Sequence, residues 1–259
     1  EGPANARNVG LSRCTSPWVV FLDDDVVVSP TWAEDLDADL RNAGPRVAAI
    51  QGDVSVPLPT LRRPTDWERN VARLATAKWI TADMALRRQV ANAGGPFRTC
   101  FRRAYREDSD LALRLVDHGW NLEQGKRKCL HPVSRGDFWI SVRKQRGNAD
   151  DAFMRALHGR RFAERLGEGP SMMRTHWLTV ASGAVAMTAT KHCAVRKLAT
   201  AVWVWCAATF AWRRIAPGPR SPGEVTRMIA TSLVIPPAAC FWSSVGAVQA
   251  RRLVHGRRS

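Results

Sequence analysis

Three consecutive aspartates, Asp23-Asp24-Asp25, follow directly on five apolar residues, Trp18 to Leu22. That apolar run, mostly β-branched or aromatic, has the pattern of a strand buried on both faces. Side chains alternate along an extended chain, so Asp23 and Asp25 should share one face and Asp24 take the other. Acids at the carboxyl end of a strand stand where ligands collect in open α/β sheets. Two such carboxylates repel anions and suit a hard divalent cation that completes its oxygen shell from a substrate's phosphates. A solvated acidic turn closing a core strand accounts for the same residues equally well. Two more groups of matching chemistry lie downstream. Arg106-Glu107-Asp108-Ser109-Asp110 opens an amphipathic run through Leu111, Leu113, Leu115 and Val116 that stops at Gly119. Carboxylates in a first helical turn can serve a substrate or simply suit the helix dipole. His131, at the centre of a short apolar stretch from Cys129 to Val133, is the side chain that most readily joins carboxylates as a neutral ligand.

The elements needed to hold these groups are legible in outline. Asn5 to Arg13 reads as a short helix closed by Ser16-Pro17. Ser29-Pro30 should start a second helix as N-cap and first residue, running to about Arg41, with Gly44-Pro45 ending it. Val47 to Val56 reads as a strand, the proline-rich Pro57 to Pro64 as a loop, and Asp66 to Ala77 as a helix with Trp67, Val71 and Leu74 on its apolar face. Trp79 to Leu86 should be extended and carry Asp83; Arg87 to Ala93 should be a short helix ending in Gly94-Gly95. Phe138 to Leu157 has helical spacing and a basic face of Arg143, Lys144 and Arg146, expected near whatever the acids bind.

The chain has 259 residues, 45% of them hydrophobic, enough for one sizeable core with an appendage or for two small domains. Its six cysteines are scattered with no CxxC pair, so neither a zinc site nor a disulfide framework is indicated and reduced thiols are expected. The net charge of +16 is uneven: residues 1–100 carry 12 basic and 12 acidic side chains, so the excess lies in residues 101–259, with 27 against 11. From Ser171 onward 12 Lys and Arg face Glu224 alone. Such a tail attracts polyanions or an anionic membrane surface. No nucleic-acid motif or interleaving of cations with exposed aromatics appears, so nucleic acid is not an expected partner. No phosphate-cradling glycine loop supports phosphoryl transfer either.

Four pieces in order, ARNVGL at Ala6 to Leu11, FLDDDV at Phe21 to Val26, the GG…EDSDLALRL run from Gly94 to Leu115, and His131, resemble family 2 glycosyltransferases of the GT-A fold. The resemblance covers roughly residues 4 to 165, and the tail, with IAPGPRSP and SLVIPP, looks like that of an actinobacterial branch. It implies an α/β, Rossmann-like GT-A core at residues 1–170 and a basic, apolar helical tail at residues 171–259. It implies an enzyme that transfers a sugar, with inversion, from a nucleoside-diphosphate sugar to an acceptor hydroxyl. Asp25 and His131 would bind Mg²⁺ or Mn²⁺, Asp23 would lie beside the metal toward the ribose, and Asp108 would be the general base. Asp83 would contact the donor sugar or, as a buried strand-end acid, cap Arg87 or Arg88. The family usually reads FDE after the glycine pair, where this chain has Phe97-Arg98-Thr99. Glu1-Gly2-Pro3 leads straight into a helix, which reads as a piece of a longer protein whose first nucleotide-binding strands are absent. An inactive remnant acting as a basic membrane- or polyanion-binding module is the alternative.

The tail contains three uncharged segments, near Trp177–Thr190, Leu198–Trp212 and Met228–Ala250, flanked by Lys and Arg and rich in Trp. Basic flanks with tryptophan suit helices lying at a membrane interface. This points to a protein at the cytoplasmic face of the membrane, near a lipid-linked or envelope glycan acceptor. A buried helical hairpin packed on the catalytic domain is the competing reading.

Overall fold

A computed structural model of the chain describes residues 2–93 and 95–255; Gly94 of the Gly-Gly pair lies outside them. In chain order the elements are α1 (Pro3–Arg13), β1 (Trp18–Leu22), β2 (Val27–Val28), α2 (Trp32–Asn42), β3 (Val47–Ser55), α3 (Asp66–Val71), β4 (Asp83–Arg87), α4 (Arg88–Ala93), α5 (Glu107–Asp117), β5 (Asn121–Leu130), α6 (Ile140–Arg143), α7 (Gly147–His158), α8 (Phe162–Arg165), α9 (Met173–Thr188), α10 (Cys193–Ile215) and α11 (Pro222–His255). Short 3₁₀ helices occupy Ala72–Thr76 and Lys144–Arg146.

Packing divides the chain into two units. The first comprises Glu1–Leu58, Val71–Ser134 and Glu164–Gly167; the second comprises Pro59–Asn70, Arg135–Ala163 and Glu168–Ser259. The second unit thus draws on two stretches that precede residue 164 as well as on the tail.

The first unit is built on a five-stranded mixed sheet of order β1-β4-β3-β5-β2, in which β3 and β5 run parallel and the other pairs antiparallel. β1 and β2 are consecutive in the chain yet end up on opposite edges. Four interstrand spacings of a flat sheet span about 19 Å. The five steps from Leu22 to Val27 reach at most about 18 Å fully extended. Here they are shortened further by a turn, Val26 N–H donating to the Asp23 carbonyl at 3.2 Å. The sheet must therefore curl to bring its two edges within reach of the acidic turn. The main core joins Ala4 and Leu11 of α1, Val19, Ala48, Ala49, Met84, Leu86, Val90, Phe97, and Leu111 and Leu115 of α5. A smaller cluster of Val54, Ala82 and Cys129, with Val26 and Ile80 against it, lies below the acids.

Several expectations change. β1 is an edge strand among the described residues and only Val19 of it is buried, so it is not covered on both faces. Asp23 and Asp25 come together through the turn, not through strand alternation. α2 begins at Trp32, because Ser29 is still held to the sheet by its N–H bond to the Lys128 carbonyl and turns the chain through Trp32 N–H at 3.0 Å. The helix expected over Asp66–Ala77 tightens to 3₁₀ after Val71. Trp79 is left-handed (φ 64°), which delays β4 to Asp83. β5 is longer than expected and stops at Leu130, leaving His131 just beyond the strand. The expected helix over Phe138–Leu157 is broken into α6, a 3₁₀ turn and α7.

In the second unit α9, α10 and α11 pack on one another, and α6 and α7 run along α11. Gly246 of α11 makes the closest approach: a Cβ there would lie 2.4 Å from the Ala149 carbonyl oxygen of α7. At the other end of α11, buried Arg214 donates to Thr231 Oγ1 and Ser232 Oγ at 2.9 Å each, to Asp66 Oδ2 at 2.8 Å and to Ser141 Oγ at 3.1 Å. Arg143 pairs with Asp137, Lys144 lies over Trp67 and Arg146 over Trp242. None of the six cysteines is in a disulfide.

Candidate active site

The carboxyl ends of β1, β3 and β5 converge at the acidic turn. Asp23 N–H donates to the Ala82 carbonyl at 3.2 Å, and His131 N–H donates to the Ser55 carbonyl at 2.8 Å. Backbone ladders, rather than side-chain packing, thus fix where the functional groups stand. The result brings together one ligand atom each from Asp23, Asp25 and His131, all within 4.8 Å of one another. Asp25 is exposed, while Asp23 and His131 are half-buried.

The donor chemistry of this cluster suits a hard cation. His131 Nδ1 lies 3.1 Å from the Pro132 carbonyl oxygen, which can only accept, a contact that suits the tautomer with Nε2 free to ligate. Its Nε2 lies 3.4 Å from Asp25 Oδ1. An imidazole nitrogen and a carboxylate oxygen at that distance can ligate one cation together. Burial raises the pKa of Asp23, helped by the charges of Asp25 and Asp24 and opposed by Arg7 and His131. With one imidazole, two carboxylates and an exposed side, the group fits Mg²⁺ or Mn²⁺ with positions left for a substrate's oxygens.

Beside it stands a second acidic group at the start of α5. The chain enters this helix through Arg106 in the left-handed region (φ 77°). Asp108, half-buried, accepts from Ser109 N–H at 2.7 Å through Oδ1 and from Thr81 N–H at 3.4 Å through Oδ2. Burial raises its proton affinity, and these bonds together with the Arg7 and Arg106 charges oppose the rise. Glu107 is buried, its Oε1 paired with Arg7 and its Oε2 without a hydrogen-bond partner among the described residues. Arg7 also reaches Asp23 Oδ1 at 3.7 Å and lies over the Phe97 ring, 5.8 Å from its centroid. One guanidinium therefore links the acidic turn to the α5 acids. Sequence reading missed this bridge; its only signal was Arg7 standing inside the ARNVGL piece. Arg98, where the family has an acid, donates to buried Asp110 at 2.7 Å.

Burial, then the neighbouring Asp108 charge, pushes Glu107 up to about 7 from a usual 4.5. Its proton is thus held more tightly in the folded protein than in the unfolded chain. The associated stability is complete below about 4.5 and is lost as pH rises through about 7. The wild-type Tm should therefore fall over that window relative to Glu107→Gln, measured by thermal unfolding at stepped pH. Parallel Tm curves for the two proteins would show that Glu107 does not titrate there.

Asp83, the partner of Leu22 in the β1–β4 pairing, is not one of the grouped ligands. Its side chain is fully buried, Oδ1 accepting from Arg127 Nε at 2.7 Å and Oδ2 from Trp32 Nε1 at 2.8 Å. Both carboxylate oxygens are engaged inside the sheet unit, and the cation held is neither Arg87 nor Arg88. Arg127, also fully buried, further donates to Asp39 Oδ2 at 3.1 Å and to the Ile50 carbonyl at 2.7 Å. Gly52 and Gly125 leave room for the network: a Cβ on either would meet an oxygen of Asp83 or of Asp39 at 2.2 Å.

Comparison with known proteins bears on the same stretch. The sequence model of the family described as "Glycosyl transferase family 2" matches residues 1–113, from the start of the chain into α5. The match includes the acidic turn, Asp83 and the Glu107-Asp108 pair, while His131 lies beyond it. The chain is also similar to a protein named "Pre-mycofactocin glycosyltransferase" from two strains of Mycobacterium tuberculosis, CDC 1551 / Oshkosh and ATCC 25618 / H37Rv. Each is 30% identical over 138 residues, covering 47% of this chain and 28% of the relative. The chain thus spans under a third of the length of these curated relatives. The curled mixed sheet agrees with the GT-A core that the motifs implied, and the mycobacterial relatives agree with their actinobacterial character. Over residues 1–113 the chain is thus similar to glycosyl transferase family 2.

Proposed function

We propose that this protein transfers a sugar, with inversion, from a nucleoside-diphosphate sugar to the hydroxyl of a glycan or lipid-linked acceptor, using a divalent metal. The convergence of Asp23, Asp25 and His131 on one point carries the reading. Asp25 and His131 would hold Mg²⁺ or Mn²⁺, with Asp23 beside them toward the ribose. When bound, the ion supplies positive charge for the diphosphate as it leaves. Asp108 takes the proton of the acceptor hydroxyl as that oxygen attacks the anomeric carbon and the bond to the diphosphate breaks. Its raised proton affinity suits it to the task. Arg7 holds Asp23 and Glu107 in place on either side.

The second unit supports a position at the inner face of the membrane. Two of its helices, Cys193–Ile215 and Pro222–Leu253, are long and apolar enough to cross a bilayer by length and composition. Such a position would suit a membrane-side acceptor.

The test is a donor screen with the purified protein, nucleoside-diphosphate sugars and either Mn²⁺ or Mg²⁺, following release of the nucleoside diphosphate. Asp25→Ala and His131→Ala should each raise the metal concentration needed for half-maximal rate by about 10-fold or more. Activity that survives chelation unchanged removes the metal. A folded protein that turns over no donor favours the inactive binding module.

A further inference from the structure

In the α9–α10 pair, α9 buries polar side chains and α10 mostly small ones, while both turn large apolar side chains outward. His176, Thr179 and Ser182 of α9 are buried. Facing outward are Trp177 at 46% and Met187 at 76% exposure on α9, and Leu198 at 68%, Trp205 at 72% and Trp212 at 61% on α10. The last three are spaced by seven residues and form one stripe along the helix. Only 11% of the most apolar window of α10 is buried. Contiguous apolar surface of this extent in a helical pair marks an interaction site.

The charge pattern selects the occupant. From Ser171 to Gly223 there is no Asp or Glu, and the cations stand at both ends of both helices: Arg174 and Lys191 bracket α9, Arg196-Lys197 and Arg213 bracket the uncharged part of α10. An apolar face framed by cations is complementary to an anionic lipid surface. The same pattern fixes the orientation. α10 has the overall length to cross, but only its 15 residues Leu198 to Trp212 are uncharged, about 22 Å of helix, and the 16 residues of α9 give about 24 Å, both short of the roughly 30 Å hydrocarbon core. A crossing hairpin would also carry Lys191, Arg196 and Lys197 to the far side, against the preference of cations for the cytoplasmic leaflet. α11 has the length to cross, but Arg155 of α7 donates to Ser243 at 3.4 Å and Arg146 lies over Trp242, so charged groups flank its C-terminal half.

We infer that the α9–α10 hairpin lies flat in the surface of an anionic leaflet, with Leu198, Trp205 and Trp212 immersed and the cations at both helix ends among the headgroups. This deepens the proposal that the second unit meets a membrane and rests on it.

The whole protein, in a Cys193→Ser background, is spin-labelled in turn at Leu198→Cys, Trp205→Cys and Trp212→Cys, all exposed sites. Flotation is measured on phosphatidylcholine vesicles with and without phosphatidylglycerol, and label depth by paramagnetic relaxation, with the unlabelled-site background subtracted. Flotation should require phosphatidylglycerol and weaken with salt, and the three labels should report one shallow depth. Arg196→Gln with Lys197→Gln should lower partitioning about 30-fold, at about 1 kcal/mol for each cation. A label at Trp205 about 10 Å deeper than those at Leu198 and Trp212 would mean a crossing helix. A steady gradient along the three would mean insertion at one end. Either overturns the flat hairpin while leaving membrane contact intact. No flotation on either vesicle overturns membrane contact itself.

Discussion

Replacing Arg127 by methionine is expected to destabilise the sheet unit by about 3–5 kcal/mol, the usual effect of removing one partner from a buried ionic cluster. Arg127 is fully buried and meets Asp83, Asp39 and the Ile50 carbonyl. The methionine variant would leave the Asp83 carboxylate in the core with only the Trp32 indole. Filling both positions with apolar side chains, Arg127→Met with Asp83→Leu, should recover much of the loss, because no isolated charge then remains buried. Urea unfolding followed by circular dichroism measures both. A single variant within 1 kcal/mol of wild type would mean that the network is solvated or slack.

Asp108→Asn is the second large effect expected. The amide keeps the shape of the side chain but cannot accept the acceptor's proton, so transfer should fall by about 10² to 10⁴ with donor binding retained. Measuring the rate together with donor affinity by calorimetry separates the base from a binding group. Full turnover in the asparagine variant would take Asp108 out of the mechanism. A loss confined to donor affinity would instead place it among the binding groups.

The two predictions differ in how far sequence could have led to them. Asp108 announces itself: acids before an amphipathic run that stops at glycine place themselves in the first turn of a helix, and α5 begins at Glu107. The acidic turn was legible in the same way, from an apolar run ending in carboxylates. The reason for the pairing of Asp23 with Asp25 was not, because the turn that joins them depends on the curl of a whole sheet. His131 was legible as a ligand type, but the contact that suits its ligating tautomer is with one carbonyl, at Pro132. Arg127 was hidden inside the run Lys126-Arg127-Lys128, which looks like a solvated charge cluster. The period-2 pattern was its one signal, since the middle residue of three on a strand points opposite to its neighbours. Asp83 was read as a strand-end acid; that it meets an arginine 44 residues further along is a property of the strand order, which local patterns do not encode.

The close fit of Gly246 against Ala149 also sets a timetable. These residues are 97 positions apart in the chain, and Arg214 reaches back 148 positions to Asp66. Contacts across such long loops form late, after the local ones. During synthesis the sheet unit can close once β5 has emerged. Pro59–Asn70 and Arg135–Ala163, made earlier, must wait for α10 and α11 before they find their partners. Through that interval their apolar side chains are open to chaperones or to misassembly, and a ribosome stalled before residue 246 would display a folded sheet with two unpaired straps.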